Sequence, residues 1–365
     1  MRRELWKHFD FLLFGGVVVL CIFGIVMIRS AIAGNADLAS YVDRQALFVG
    51  VSIVVMLVLT LIDYHYWAAL SRPMYLFTFG LLVLTFVTAA AHLGAARWLE
   101  AGTFFLQPAE LAKIVIILVL ADYFARTKEE PHDVRWAFRS LLLAGGLVVW
   151  VYLQPNLSNS ILILVLWFAL LWLSGLPVRY LVISIAVVIV MSVLIFPFLQ
   201  DYQQGRVLQF IFPNPNASYG DAYNVLQALI AIGSGGLFGQ GYGHSTQVQL
   251  RFLKVRHTDF IFSAMASEFG FIGTVLICAL LLFVIFRCFR AARLASDPYG
   301  AYIAFGFGFL LFFQAAVNIG VNLSVIPVTG LTLPFISYGG SSLLTLAIGI
   351  GLIESVVARH KSLEF

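Results

Sequence analysis

Charge is scarce in this chain. Of its 365 residues, 11% are Asp, Glu, Lys or Arg, too few to clothe a soluble fold of that length, so a water-soluble enzyme is excluded. Cysteine is nearly absent. Cys21, Cys278 and Cys288 lie in apolar or helix-end contexts without paired spacing, which excludes a disulfide framework and a cysteine-held metal. Two nucleotide signatures are missing as well. The glycine run 233–243 lacks a following Gly-Lys-[Ser/Thr], and no G-x-G-x-x-G follows a strand-like segment. The net charge of +4 is explained by membrane topology, so no nucleic-acid partner is expected.

What is present is hydrocarbon. With 61% hydrophobic residues and 33 Phe, the chain is expected to be an all-α polytopic membrane protein, because only helices and closed barrels satisfy their backbone in lipid. Ten spans are read, at about 10–29, 46–64, 74–92, 108–125, 137–153, 157–174, 178–198, 259–286, 300–324 and 334–357. The run from Phe11 to Ile28 exceeds a signal-peptide core, so the first span is expected to be uncleaved. An even number of spans places both termini on one side. Fourteen of the 22 Lys and Arg fall on that side, which the positive-inside rule identifies as cytoplasmic. The long segment 199–258, between the seventh and eighth spans, is then extracytoplasmic. No repeat or soluble domain interrupts the chain, and residues 1–365 read as a single membrane domain with one large outer loop.

The polar residues at membrane depth are few and placed. Gln107-Pro108-Ala109-Glu110-Leu111-Ala112-Lys113 opens the fourth span, with Glu110 and Lys113 on one helix face at i and i+3. Each charge alone would cost about 2.5–3.5 kcal/mol at the bilayer centre, so the two either pair as an internal brace or present a lysine to a phosphate. Arg97 adds a cation just upstream. In the long loop, Arg206 precedes the turn-rich 213–216, Asn224 to Ile232 can form an amphipathic surface helix, and the glycine run is either turn chemistry or a nest of amides for an anion. Arg256-His257-Thr258-Asp259 closes the loop. Asp259 is either an ordinary cap or, beside Lys254 and Arg256 at the water–lipid boundary, a carboxylate able to take a proton from a sugar hydroxyl. Glu268, about half a turn round the helix from it, reads as an interhelical hydrogen-bonding group. His244, His257 and Asp259 are too loosely spaced for a metal triad, whereas Mg²⁺ or Mn²⁺ carried on a diphosphate would leave no sequence mark. Ser337 and the amides after it serve either close helix packing or anion binding.

Taken in order, these pieces resemble the SEDS family of cell-wall polymerases, whose members include RodA and FtsW. The matching segments are Ala96-Arg97-Trp98-Leu99 with Gln107 to Lys113, Ala231 to Leu237, His257-Thr258-Asp259-Phe260-Ile261-Phe262, and Pro334 to Ser341. The Arg-His-Thr-Asp form and the stretch Gln247 to Leu253 look nearer to RodA. The resemblance implies a bacterial inner-membrane glycosyltransferase that polymerises lipid II into glycan strands with a class B penicillin-binding protein. It further implies that Asp259 is the catalytic residue, with Arg44, Arg97, Glu110, Lys113 and Arg206 around the outward cavity; His257 and Ser337, within the matching segments, are read as substrate-binding candidates beside them. One departure stands out. Where the family has Gln-Pro-Asp-Leu-Gly-Thr, this chain has Gln154-Pro155-Asn156-Leu157-Ser158-Asn159, so the family's aspartate there is expected to be structural, or this chain is altered in activity, metal use or partner dependence.

On this reading the α-linked donor gives a β-linked product, so the anomeric centre inverts and one base suffices. Asp259 takes the acceptor proton while Lys113, Arg97 or Arg206, with or without a divalent ion, neutralises the departing diphosphate. Two other classes fit the composition. A transporter of lipid-linked sugars would flip lipid without polymerising it, and a scaffold for the penicillin-binding protein would tolerate substitutions at Asp259 and Lys113.

Overall fold

The computed structural model describes residues 7–35, 38–91, 99–101, 104–213 and 219–360. Among them, ten helices of 17 residues or more fall on the ten apolar segments: α1 Phe11–Ala31, α2 Ser40–Leu61, α3 His65–Ala91, α4 Pro108–Arg126, α5 Val134–Leu153, α6 Leu157–Leu173, α7 Val178–Ile195, α10 Ile261–Leu294, α11 Pro298–Asn322 and α12 Gly340–Ala358. Between α7 and α10 come two shorter helices, α8 Asp201–Ile211 and α9 Gly220–Ser234, and one helical turn at Thr246–Gln249. Seven of the long helices are apolar and long enough to cross a membrane, and α6 is apolar but shorter. The chain is an all-helical polytopic membrane protein, with one addition that helical periodicity does not foresee. Leu99–Ala101 and Phe104–Leu106 pair as a small antiparallel hairpin ahead of α4.

Helix starts are set by short polar side chains, as orphan amides at a helix N-terminus require. The carboxylates of Asp10, Asp133 and Asp297 accept from the amides of Leu13, Trp136 and Gly300 at 3.0, 2.8 and 3.0 Å. Asn156 caps α6, accepting from Asn159 N at 3.4 Å. Asparagine and aspartate are near-equal caps, so Asn156 fills this position without a charge.

The interior is built from α4, α11 and α12, with α2 on α12, α10 on α11 and α1 on α10. At one end of the bundle Arg287 Nε of α10 donates to Asp10 at 2.8 Å, and the Asp10 amide donates to Glu354 of α12 at 3.0 Å. These bonds tie α1, α10 and α12 together at the end of α10 opposite Asp259.

The expected eighth span begins as placed but is broken. Gly270 adopts φ +65°, ψ −168° within α10, a conformation that L side chains essentially do not take. The break frees main-chain groups, and the glycine run satisfies them. Gln240 N and Gly241 N donate to the carbonyls of Ser267 and Glu268 at 3.0 Å each, while Phe271 N and Ile272 N donate to Gly236 and Leu237 at 2.9 and 3.1 Å. The glycine run is a series of turns that also completes the broken helix through these four bonds. Glu268, two residues before the break, accepts a hydrogen bond from Ser30 of α1, which is the interhelical role expected of it.

Candidate active site

Asp259 lies in the turn before α10. The helix N-cap is Phe260 and makes no side-chain capping bond, so Asp259 is not the ordinary capping aspartate. What is held is its backbone. Asn318 and Asn322 of α11 donate their side-chain amides to the Asp259 carbonyl at 3.0 and 2.9 Å. Asn322 also accepts from the amide and hydroxyl of Ser263 at 3.1 and 2.6 Å. One turn back, the Ser337 hydroxyl donates to the Thr258 carbonyl at 2.7 Å and accepts from Leu333 N at 2.9 Å, and Tyr338 N donates to the His257 carbonyl at 2.9 Å. The segment 257–259 is thus clamped by main-chain carbonyls, leaving the Asp259 carboxylate to the site. Ser337 serves this clamp rather than heading a helix, since α12 begins only at Gly340.

The carboxylate faces the α11–α12 loop, where a Cβ placed on Gly330 would come within 3.8 Å of Oδ2. Thr329 and Leu331, either side of Gly330, line a cavity of about 360 Å³ that also touches Asn156, Ser158, Gln203 and Arg206. Burial pushes the Asp259 carboxyl up to about 6; the Arg206 charge opposes the rise, Asp221 adds to it, and the Thr258 hydrogen bond opposes it. A base poised near working pH is what proton abstraction needs. The same shift has a stability consequence of opposite sign. The native state holds this proton more tightly than the unfolded chain, so the carboxyl's contribution is fully present below its ordinary value of 3.8 and is lost as pH rises through about 6. Thermal midpoints measured from pH 4 to 7 should therefore fall less in Asp259→Asn than in the parent.

Arg206 sits on α8, its Nε donating to Asp221 Oδ2 of α9 at 2.9 Å. Sequence reading located Arg206 but missed Asp221, whose only signal is its place in the first turn of α9. The expected surface helix from Asn224 to Ile232 is longer at both ends, and α8 was not foreseen because its residues are on balance polar.

The remaining candidates form separate groups. Lys113 is fully buried, its Nζ donating to Glu110 Oε1 at 2.6 Å, while Glu110 Oε2 has no partner among the described residues. Removing one member of a buried pair strands the other and costs about 3–5 kcal/mol. Lys113→Met is accordingly expected to lower the melting midpoint in detergent, and the double change with Glu110→Gln should restore it. Loss of activity in the restored double variant would assign the pair to substrate, and full activity would assign it to bracing. Arg44 donates a hydrogen bond to the Tyr338 hydroxyl, opposing the burial that raises that phenol. Tyr338 stacks on Tyr41 with ring centroids 4.5 Å apart, and His257 packs edge-on to Tyr41 at 5.7 Å. Burial, then the neighbouring Arg256 charge, pushes His257 down to about 4, so it is neutral at physiological pH and contributes packing and a polar edge rather than a positive charge. Arg256 itself is buried and donates to the carbonyls of Ala31 and Leu253. It staples the loop to α1 and is not a cation free for phosphate. Lys254 lies over the Tyr223 ring at 5.7 Å. Arg97 lies outside the described residues. No group of three or more His, Cys, Asp or Glu able to hold a metal occurs among the described residues.

Comparison with known proteins agrees across nearly the whole chain. Residues 10–362 match the family model of FtsW, RodA and SpoVE, described as cell cycle proteins. The chain is 34% identical over 368 residues to the peptidoglycan glycosyltransferase MrdB of Escherichia coli K12, covering 100% of this chain and 98% of MrdB. It is 33% identical over 370 residues to a probable peptidoglycan glycosyltransferase FtsW of Geobacter sp. M18, covering 99% of each. Among solved structures, it superposes on a chain of a peptidoglycan synthase complex that coordinates polymerization and crosslinking, with TM-score 0.80, 30% identity, and coverage of 96% of this chain and 97% of that one. It also superposes on the rod shape determining protein RodA of Thermus thermophilus, with TM-score 0.71, 29% identity, and coverage of 97% and 98%.

Proposed function

The chain belongs to the family of FtsW, RodA and SpoVE, and from that premise we propose that it is a peptidoglycan glycosyltransferase of the bacterial inner membrane that polymerises lipid II into glycan strands. The observation that carries the mechanism is the Asp259 carboxylate, raised to about 6 and turned toward Gly330, whose neighbours Thr329 and Leu331 line a cavity together with Arg206. Asp259 takes the proton of the acceptor hydroxyl as its oxygen attacks the donor's anomeric carbon. The bond from that carbon to the diphosphate breaks with inversion, and the lipid diphosphate leaves with the electron pair. Arg206 supplies positive charge where the diphosphate's charge develops. A Mg²⁺ or Mn²⁺ ion arriving on the diphosphate would add to that neutralisation. Asn318 and Asn322 hold the base in place through its own carbonyl, so Asn322→Ala should lower turnover by about 10–100-fold through misplacement, with Asn322→Gln no better.

The likeness to a chain of a polymerising and crosslinking complex supports a class B penicillin-binding protein as partner, working in elongation and shape maintenance. The basic-residue asymmetry supports cytoplasmic termini and an extracytoplasmic site. The test is formation of glycan polymer from lipid II by the purified protein, with and without that partner and across divalent ions. Lipid flipping without polymer in every condition would remove the transferase reading.

A further inference from the structure

The outer piece of α10, residues 261–269, is held at one end by the Asn318 and Asn322 amides on the Asp259 carbonyl. Its other end stops at the break at Gly270, so the rest of the helix does not aim it. A rod needs two fixed points to have a direction. The second is at Glu268. Glu268 is buried, and so is Ser30 in the last turn of α1, whose hydroxyl donates to Glu268 Oε1. The Gly243 amide faces the same carboxyl group, and the Glu268 carbonyl accepts from Gly241 N at 3.0 Å. Oε2 has no partner among the described residues, so among them the Ser30 bond is the one that ties this side chain to another long helix. Inside lipid no water competes for such a bond. The outer end of α1 is a firm anchor because several groups fix it. It accepts from the Tyr242 hydroxyl at the Val26 carbonyl, 2.9 Å, and from Arg256 at the Ala31 carbonyl, while Arg287 holds the other end of α1 at Asp10. Arg256 precedes Asp259 in the chain and Glu268 follows it, so α1 fastens the segment that carries the base on both sides.

We propose that Glu268 is a positioning residue for the transfer reaction: by fastening the outer piece of α10 to α1 through Ser30, it sets the direction from which the Asp259 carboxylate meets the acceptor hydroxyl. The inference rests on the glycosyl-transfer reading and deepens it. Glu268 is buried about half a turn round the helix from Asp259, so it acts through placement and does not touch substrate. The lever is long. The stretch from Asp259 to Glu268 spans about 13 Å, so a tilt of about 5° about the break carries the base by about 1 Å. A displacement of about 1 Å is enough to cost about 100-fold where rate depends on alignment. The main-chain bonds between the glycine run and α10 keep the break closed, but they join α10 to a loop. The Ser30 bond joins it to a transmembrane helix, and that is what fixes the angle.

The experiment uses the full purified chain, with initial rates of lipid II polymerisation followed over lipid II concentration and over pH. Glu268→Ala removes the carboxyl group and its bond to Ser30. Ser30→Ala removes the bond alone and is the milder variant where the first does not fold, and Glu268→Gln keeps an oxygen for the Ser30 hydroxyl. Glu268→Ala is expected to lower kcat by about 10–100-fold with KM within about twofold, Ser30→Ala to lower kcat by about 3–10-fold, and Glu268→Gln to stay within about threefold of the parent. The two alanine changes act on one bond, so the double variant should be no slower than Glu268→Ala alone. Once the outer piece is loosened, the Asp259 carboxyl is less deeply buried, and the pH of half-maximal rate should move down from about 6 towards its ordinary value of 3.8. A lowered melting midpoint with kcat and the half-maximal pH both unchanged in the alanine variants would overturn the proposal, as would a Glu268→Gln as slow as Glu268→Ala. A second readout needs no turnover. The fall in melting midpoint from pH 4 to 7 that Asp259 contributes, read as parent against Asp259→Asn, should shrink in the Ser30→Ala and Glu268→Ala backgrounds and persist in Glu268→Gln. Its persistence at full size in both alanine backgrounds would overturn the positioning. Absence of polymer from the parent in every condition would instead overturn the transferase reading, and the midpoint comparison would still decide whether Glu268 places Asp259.

Discussion

Asp259→Asn is expected to abolish polymerisation of lipid II, a fall of about 10²–10⁴-fold for loss of a positioned base, while the protein remains inserted and folded. The substitution is close to isosteric and keeps hydrogen-bonding capacity, but it removes a negative charge that burial already disfavours. The bonds that fix the segment run to the carbonyls of His257, Thr258 and Asp259, not to the carboxylate, so the clamp survives the change. Stability is therefore expected to be equal or slightly higher at neutral pH. That combination separates chemistry from folding, because a residue needed only for structure would show the reverse. Glycan polymer formed at the parent's rate by Asp259→Asn would take this residue out of the reaction.

The second large effect is structural. Gly270→Ala should cost about 2–6 kcal/mol, from a backbone conformation closed to L side chains together with overpacking. An added Cβ there would stand 2.2 Å from Gly239 N and 2.7 Å from the Leu237 carbonyl group, contacts against backbone that cannot swing aside. Gly239→Ala meets the same joint from the other side, 2.1 Å from Glu268 O and also at a positive φ, +82°. Because α10 carries Asp259 just ahead of its first turn, loosening this joint should reduce both the yield of folded protein and the activity of what remains. Melting in detergent, followed by intrinsic fluorescence, reads the first effect. An unchanged midpoint in both variants would mean that the broken helix and the glycine run are not interlocked as described.

The long apolar helices were legible because lipid imposes a length and a composition on the sequence, and seven of those described meet both. Their ends were less so. The last span was expected from 334, yet the clamp bonds at Ser337 and Tyr338 keep that stretch out of helix until Gly340. Asp259 and Arg206 were both visible as charges at the boundary, but their companions were not. Asp221, Asn318 and Asn322 are paired with them across 15, 59 and 63 positions in sequence, a relation that no local pattern encodes. The glycine run illustrates the same limit. Its composition announced close approach of backbone, while the object approached, a helix broken at Gly270, lay about thirty residues further on and read as continuous apolar helix. Arg256 shows it too: legible only as a cation beside Asp259, it donates to the carbonyls of Ala31 and Leu253, a role no local pattern encodes.

The base assignment is tested most directly by the pH dependence of initial polymerisation rate for the intact protein at saturating lipid II. A group that must be ionised to act, and whose carboxyl is held at about 6 by burial, predicts a rate that rises with pH, is half-maximal near 6, and is level above about 7. A rate unchanged between pH 5 and 7, or one that falls as pH rises through that interval, would contradict it.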